Sequence, residues 1–322
     1  MTAPARSATT ITTTTTTTPK IATHPSNAVR HRTVTIDGLD IFYREAGPAD
    51  APVLVLLHGF PSASHQYTTL IDRLSGRFHL LAPDYPGFGY SSAPASSHAG
   101  GQFEYTFDHL ADVTEHWLTH LGIKRFFMYV FDFGAPVGYR IASRHPDWIE
   151  GVIAQNGNAY EAGLGPDMQP AVKYWADRTG MESTIRGALT LAATRAQHVH
   201  GAADAQRINP DSWTLDQYWL DQPGRAQVML DLLFDYQSNV ALYPTWQRWL
   251  REHKPPMLLP WGRNDAFFPE AGARAYLADV PRAELHLLDG GHFVLDEHLD
   301  TVADLIRDFI TRHARANPAR PA

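Results

Sequence analysis

One carboxylate interrupts an apolar run. In "FMYVFDFGAPVGYRIA" (127–142), Asp132 stands where a strand-like stretch ends and a helix-like stretch begins. The local pattern is Val130-x-Asp132-x-Gly134. Small neighbours at such a junction permit a tight, strained turn that lifts the central side chain above a sheet, at a helix N-terminus. The commoner central residue is Ser. An Asp before a helix also serves as an ordinary N-cap, so Asp132 gains chemical meaning only in company. "HGFP" (58–61) directly follows another apolar run, and its backbone donors can point at a developing oxyanion. Asp265, in "WGRNDAFF" (261–268), follows a third run and Gly262. His292, in "DGGHF" (289–293), follows the last run behind two glycines that let the backbone turn freely. Read singly, HGFP and Asp265 suit ordinary turns, and one His among 17 means little. Together they give nucleophile, acid and base in chain order, each at the end of a run.

Such side chains need a rigid frame. "RTVTIDGLDIFYREAG" carries two β-rich runs around Asp37-Gly38, a hairpin signal. "APVLVLLHG", "FHLLAPD", "FFMYVFD", "GVIAQN", "PMLLPWG" and "AELHLLDG" read as strands buried on both faces. Helical spacing fills "TFDHLADVTEHWLTHLG" (106–122) and "DTVADLIRDFITRHA" (300–314). A hairpin followed by alternating strand and helix predicts an α/β fold, a mostly parallel sheet flanked by helices. Between about 158 and 245 the pattern breaks into aromatic-rich helical stretches, "PAVKYWADRTG", "TLDQYWLDQ" and "VMLDLLFDYQSNVALY". A helical insertion at strand ends, where such folds bind ligands, would act as a lid. The expected organisation is a Thr-rich disordered tail (1–30), a first core segment (31–157), a helical cap (158–245), a second core segment (246–315) and a C-terminal tail (316–322).

Composition narrows the chemistry. The chain has 322 residues, no cysteine and a net charge of 27 − 34 = −7. Disulfide scaffolds, thiol catalysis and thiolate metal sites are excluded. No basic stretch suits nucleic acid, and no apolar run approaches a membrane span. The N-terminal segment lacks the apolar stretch of a secretory signal, and whether it is a targeting segment stays open. A cytoplasmic location is the default. "HVH" (198–200) falls short of a metal site and reads as a surface feature of the lid. No metal or cofactor is expected.

On these motifs the sequence resembles the α/β-hydrolase superfamily over roughly residues 31–315. More narrowly it resembles the branch of epoxide hydrolases and haloalkane dehalogenases, which use Asp as nucleophile; "DYPGFGYS" (84–91) is similar to a loop of that branch. The resemblance implies the α/β-hydrolase fold with an inserted helical cap. It also implies a catalytic set of Asp132, Asp265 and His292. A carboxylate is already ionised at neutral pH, so it can attack an sp³ carbon and form an ester of the protein itself. His292, held by Asp265, would activate the water that hydrolyses the ester. The backbone N–H groups of Phe60 and Phe133 would hold the resulting oxyanion.

The leaving group separates the substrates. An epoxide oxygen needs an acidic donor, in relatives usually a pair of lid tyrosines, and Tyr174 and Tyr236 resemble those positions. Trp175 is a further candidate for the pocket wall. Dehalogenases of the branch typically place Trp after the nucleophile and a donor such as Asn after the His-Gly pair; here stand Phe133 and Phe60 or Pro61, which cannot donate from their side chains. Phe133 and Pro136 also replace the arginines of fluoroacetate-type relatives, and Phe131 stands where epoxide hydrolases usually carry His. The expected function is therefore the opening of a small apolar epoxide to a vicinal diol. The alternatives are a haloalkane dehalogenase or another activated-carbon hydrolase, and a non-catalytic ligand-binding protein of the same fold. A homodimer is left open.

Overall fold

The computed structural model describes residues 28–315. The expected tails lie outside these residues, except for residues 28–30, of which Arg30 opens the first strand. Eight strands form one sheet: β1 (Arg30–Ile36), β2 (Leu39–Ala46), β3 (Val53–Leu57), β4 (His79–Pro83), β5 (Phe126–Phe131), β6 (Ile149–Gln155), β7 (Met257–Gly262) and β8 (Glu284–Leu288). Their order is β1-β2-β4-β3-β5-β6-β7-β8. The β1–β2 and β2–β4 pairs are antiparallel, and every pairing beyond β4 is parallel. Asp37 and Gly38 both take positive φ, as a two-residue hairpin turn following the strand twist requires.

Among the described residues ten α-helices accompany the sheet: α1 (Thr68–Leu74), α2 (Phe107–His120), α3 (Gly134–Arg144), α4 (Gln169–Ala176), α5 (Arg178–Gly187), α6 (Leu191–Val199), α7 (Pro210–Leu220), α8 (Arg225–His253), α9 (Glu270–Asp279) and α10 (Val294–Arg315). One face of the sheet packs on α1 and α10 through Leu54, Leu56, Phe127, Leu70, Ile306 and Phe309. The other packs on α2, α3 and α9 through Val55, Met128, Val130, Trp117, Val137 and Tyr276. Both faces of the central strands are thus out of water, which explains their unbroken apolar runs. The run at 284–288 behaves differently. β8 is half-buried throughout because it closes the sheet with β7 as its neighbour; it is an edge strand, not a doubly covered one.

Helices α4 to α8 lie between β6 and β7 in the chain. "PAVKYWADRTG" forms two helices, since Asp177 leaves helical geometry and caps α5 by accepting from the Gly180 N–H at 2.8 Å. α8 runs on to His253, so the boundary expected at 245 falls inside a continuous helix. α10 starts at Val294, ahead of the expected 300, with a kink at His298. His198 is not a surface feature: the residue is 3 % exposed, and two carboxylates from other elements satisfy both ring nitrogens. Among the described residues, no helix is long and apolar enough to cross a membrane.

Candidate active site

The three strand ends β5, β7 and β8 meet where the cap covers the sheet. β5 delivers Asp132 with φ 48°, a left-handed conformation that Asp tolerates better than most residues. α3 begins two residues later. A Cβ at Gly134 would fall 2.1 Å from the Leu57 carbonyl oxygen, so Gly is what lets α3 start this close to β3. A Cβ at Gly59 would fall 2.4 Å from Asp132 Cβ, so the loop after β3 approaches the carboxylate only because residue 59 has no side chain. That approach brings the Phe60 N–H to Asp132 Oδ1 at 2.6 Å, and the Phe133 N–H also donates to this carboxylate. His58 steadies the loop in its neutral form: burial pushes its pKa down to about 4, while Nδ1 meets the Gly59 carbonyl and Nε2 accepts from the Tyr85 N–H.

His292 faces the other carboxylate oxygen. Its Nε2 lies 3.8 Å from Asp132 Oδ2, longer than a hydrogen bond, and its Nδ1 lies 2.8 Å from Asp265 Oδ2. The Asp265 contact directs the Nδ1 hydrogen toward the acid and leaves Nε2 to face Asp132. Asp265 is itself held: Oδ1 accepts from the Phe267 N–H at 2.7 Å and Oδ2 from Asn156 Nδ2 at 2.8 Å. Asn156 Oδ1 accepts in turn from the Gly262 N–H at 3.0 Å, which ties the end of β6 to the end of β7. Gln155 Nε2 donates to the His292 carbonyl at 3.3 Å.

Burial and charge pull against one another here. It pushes the Asp132 pKa up to about 6, against the opposing pull of His292 and of the Phe60 and Phe133 donors. Burial works to lower the His292 pKa, but the charge and hydrogen bond of Asp265, with the Asp132 charge, outweigh it, and the net shift is upward.

A cavity of about 290 Å³ opens above Asp132 and His292, walled mainly by apolar groups such as Phe60, Phe133, Met168, Leu233 and Phe267. Tyr236 lines it too. The Tyr236 hydroxyl is buried and makes no hydrogen bond of ordinary geometry, although the Tyr243 hydroxyl is near. Tyr174, its expected companion, is buried but does not line this cavity; its ring packs edge-on against Phe234, and Arg178 lies beside it. Trp175 stands outside the cavity wall as well, stacked on Tyr236, with its N–H spent on the Leu233 carbonyl at 2.8 Å. Of the three aromatics expected on the cavity, Tyr236 lines it and Tyr174 and Trp175 lie behind it, because α4 turns residues 174 and 175 toward α8. Sequence reasoning missed Asn156 and Gln155. The only available signal was a pair of amides ending a buried strand, which is where polar side chains need a stated reason.

The fold and this constellation can be set against known proteins. The model of the alpha/beta hydrolase fold family matches residues 52–299. The chain belongs to that family. An uncharacterized hydrolase of Saccharomyces cerevisiae is 39 % identical over 281 residues, covering 86 % of this chain and 95 % of the yeast protein. Haloalkane dehalogenase 2 of Mycobacterium tuberculosis is 28 % identical over 262 residues, covering 79 % and 86 %. Among solved structures, a mutant of haloalkane dehalogenase DatA from Agrobacterium tumefaciens C58 superposes with a TM-score of 0.70 at 22 % identity, covering 88 % of this chain and 97 % of that one. The protein is thus an α/β-fold hydrolase with dehalogenases among its relatives.

Proposed function

We propose that this α/β hydrolase opens an epoxide to a vicinal diol through an ester on Asp132. Oδ1 accepts from the Phe60 N–H while Oδ2 faces His292, so Oδ2 serves as the nucleophile. It attacks a ring carbon, the carbon–oxygen bond breaks, and Tyr236 gives its proton to the departing oxygen. His292 then takes a proton from water, whose oxygen adds to the Asp132 carbonyl carbon. The oxyanion forms on Oδ1, against the two N–H groups. Collapse releases the diol, whose leaving oxygen takes the proton back from His292. The proton set free as the carboxyl group re-ionises replaces the one Tyr236 gave up, and the sum is epoxide plus water to diol.

The observation that carries this reading over halide release is Tyr236, whose hydroxyl is buried beside the Tyr243 hydroxyl on a residue that lines the same cavity. A halide calls for N–H donors; the Trp175 N–H is already spent, and Phe60, Pro61 and Phe133 have none on their side chains. Dehalogenation by the same nucleophile remains the second reading, favoured by the dehalogenase relative. Replacing His292 with Gln separates them. Intact-protein mass spectrometry of the variant should find an adduct on Asp132 with a styrene-oxide-like epoxide. Adducts with short bromoalkanes alone would install the second reading, and no adduct with either class would remove the nucleophilic role of Asp132.

A further inference from the structure

Helix α6 separates two cavities. Ala193, Ala196, Gln197 and His200 face the cavity above Asp132. At 100° per residue these positions share one helix face, and position 198 lies off it. His198 faces a second cavity of about 360 Å³ at the boundary of cap and core, beside His65 and Asp296. There its Nε2 lies 2.8 Å from Asp216 Oδ2 on α7, and its Nδ1 lies 2.8 Å from Asp296 Oδ2 on α10. The other Asp216 oxygen lies 2.8 Å from Nε2 of His65, which precedes α1. The imidazole also stacks on Phe293, the residue after His292, with centroids 3.8 Å apart. Two of these polar contacts, His198–Asp296 and His65–Asp216, cross from cap to core, and His198–Asp216 joins them.

We propose that His198 is a positioning residue that fastens α6 to the core, and so sets the width and the opening of the cavity above Asp132. A neutral imidazole has one N–H and would turn a bare lone pair toward either buried Asp216 or partly buried Asp296. Only the imidazolium donates to both. Removing one partner of such a set leaves a charge less well compensated, so loss of either carboxylate weakens the whole fastening. The stack on Phe293 ties the same group to the segment that carries His292.

The fastening should therefore respond to pH. Burial works to lower the His198 pKa, but its hydrogen bonds and attraction to Asp216 and Asp296 win, raising it from 6.5 to about 9. The other titratable groups facing this region are His65 across Asp216, His292 beyond Phe293, and Arg207 and Asp211 on the wall of the second cavity. A raised His pKa stabilises the closed arrangement fully below the free value of 6.5, and that stabilisation is lost as pH rises through about 9. The second cavity gives solvent a route to the proton.

Hydrogen exchange of the full chain, corrected for intrinsic rates and read by mass spectrometry, tests this without reference to the reaction. In the wild type, opening of α6 should rise roughly a hundredfold between about pH 7 and about pH 10, with α2 unchanged. His198→Gln should exchange fast in α6 already at neutral pH and lose the pH response. Should that variant fail to fold, Asp296→Asn removes the negative charge at one cross-boundary contact while its amide oxygen can still accept from His198, and keeps the His198–Asp216 pair; its α6 should open at a lower pH than the wild type. Wild-type protection of α6 in the variants would overturn the proposal, and so would loosening shared equally by α2.

Discussion

Replacing Asp132 with Asn should abolish turnover and make the protein more stable. The side chain is 7 % exposed, and burial raises its pKa from the ordinary 3.8 to about 6 despite the donors around it. The gap between 3.8 and about 6, at ~1.4 kcal/mol per pH unit, makes the ionised carboxylate cost the fold about 3 kcal/mol at neutral pH. The sign follows from proton counting. Between these two values the folded chain binds more protons than the unfolded chain, so this group lowers stability as pH rises through the window, and its cost vanishes below it. Asn matches Asp in shape, accepts from the Phe60 N–H through its carbonyl oxygen, and tolerates the φ of 48°. Urea unfolding of wild type and variant should show a gain of about 3 kcal/mol at about pH 8 that shrinks toward zero at about pH 4. Equal stability at the higher pH, or a gain that persists undiminished at the lower one, would refute the idea that the fold holds a costly charge at this turn.

Three further outcomes follow from the same geometry. Tyr236→Phe should slow ester formation from epoxides by about a hundredfold in single-turnover mass spectrometry, by loss of the acid; an unchanged rate would remove the tyrosine from the reaction. Gly59→Ala drives a methyl group to 2.4 Å from Asp132 Cβ, so kcat/KM should fall by about a hundredfold while circular dichroism stays native. Ester formation should also rise about tenfold from pH ~5 to pH ~7, as a carboxylate titrating near 6 ionises; a flat profile would mean that Asp132 is ionised throughout.

Much of the frame was legible in the chain. β3 to β7 announce themselves as unbroken apolar runs because both faces of the parallel sheet are covered. Asp132, Asp265 and His292 are recognisable because each follows such a run, and strand ends on one edge of a parallel sheet must come together in space. The same logic misleads at β8, whose apolar run marks an edge strand, since periodicity does not record which strand lies outermost.

Local pattern determined the order of strands and helices and the three strand-end side chains, because covering a sheet and turning tightly into a helix depend on neighbours in sequence. Tertiary packing decided what surrounds them. Tyr236 lines the cavity while Tyr174 does not, since cap helices of like composition present different faces once packed. Asn156 meets Asp265 across 109 residues of chain, and His198 meets Asp296 across 98. Hydrogen bonds over such separations leave no periodic trace in the sequence, because their geometry exists only after the sheet and the cap have closed on one another.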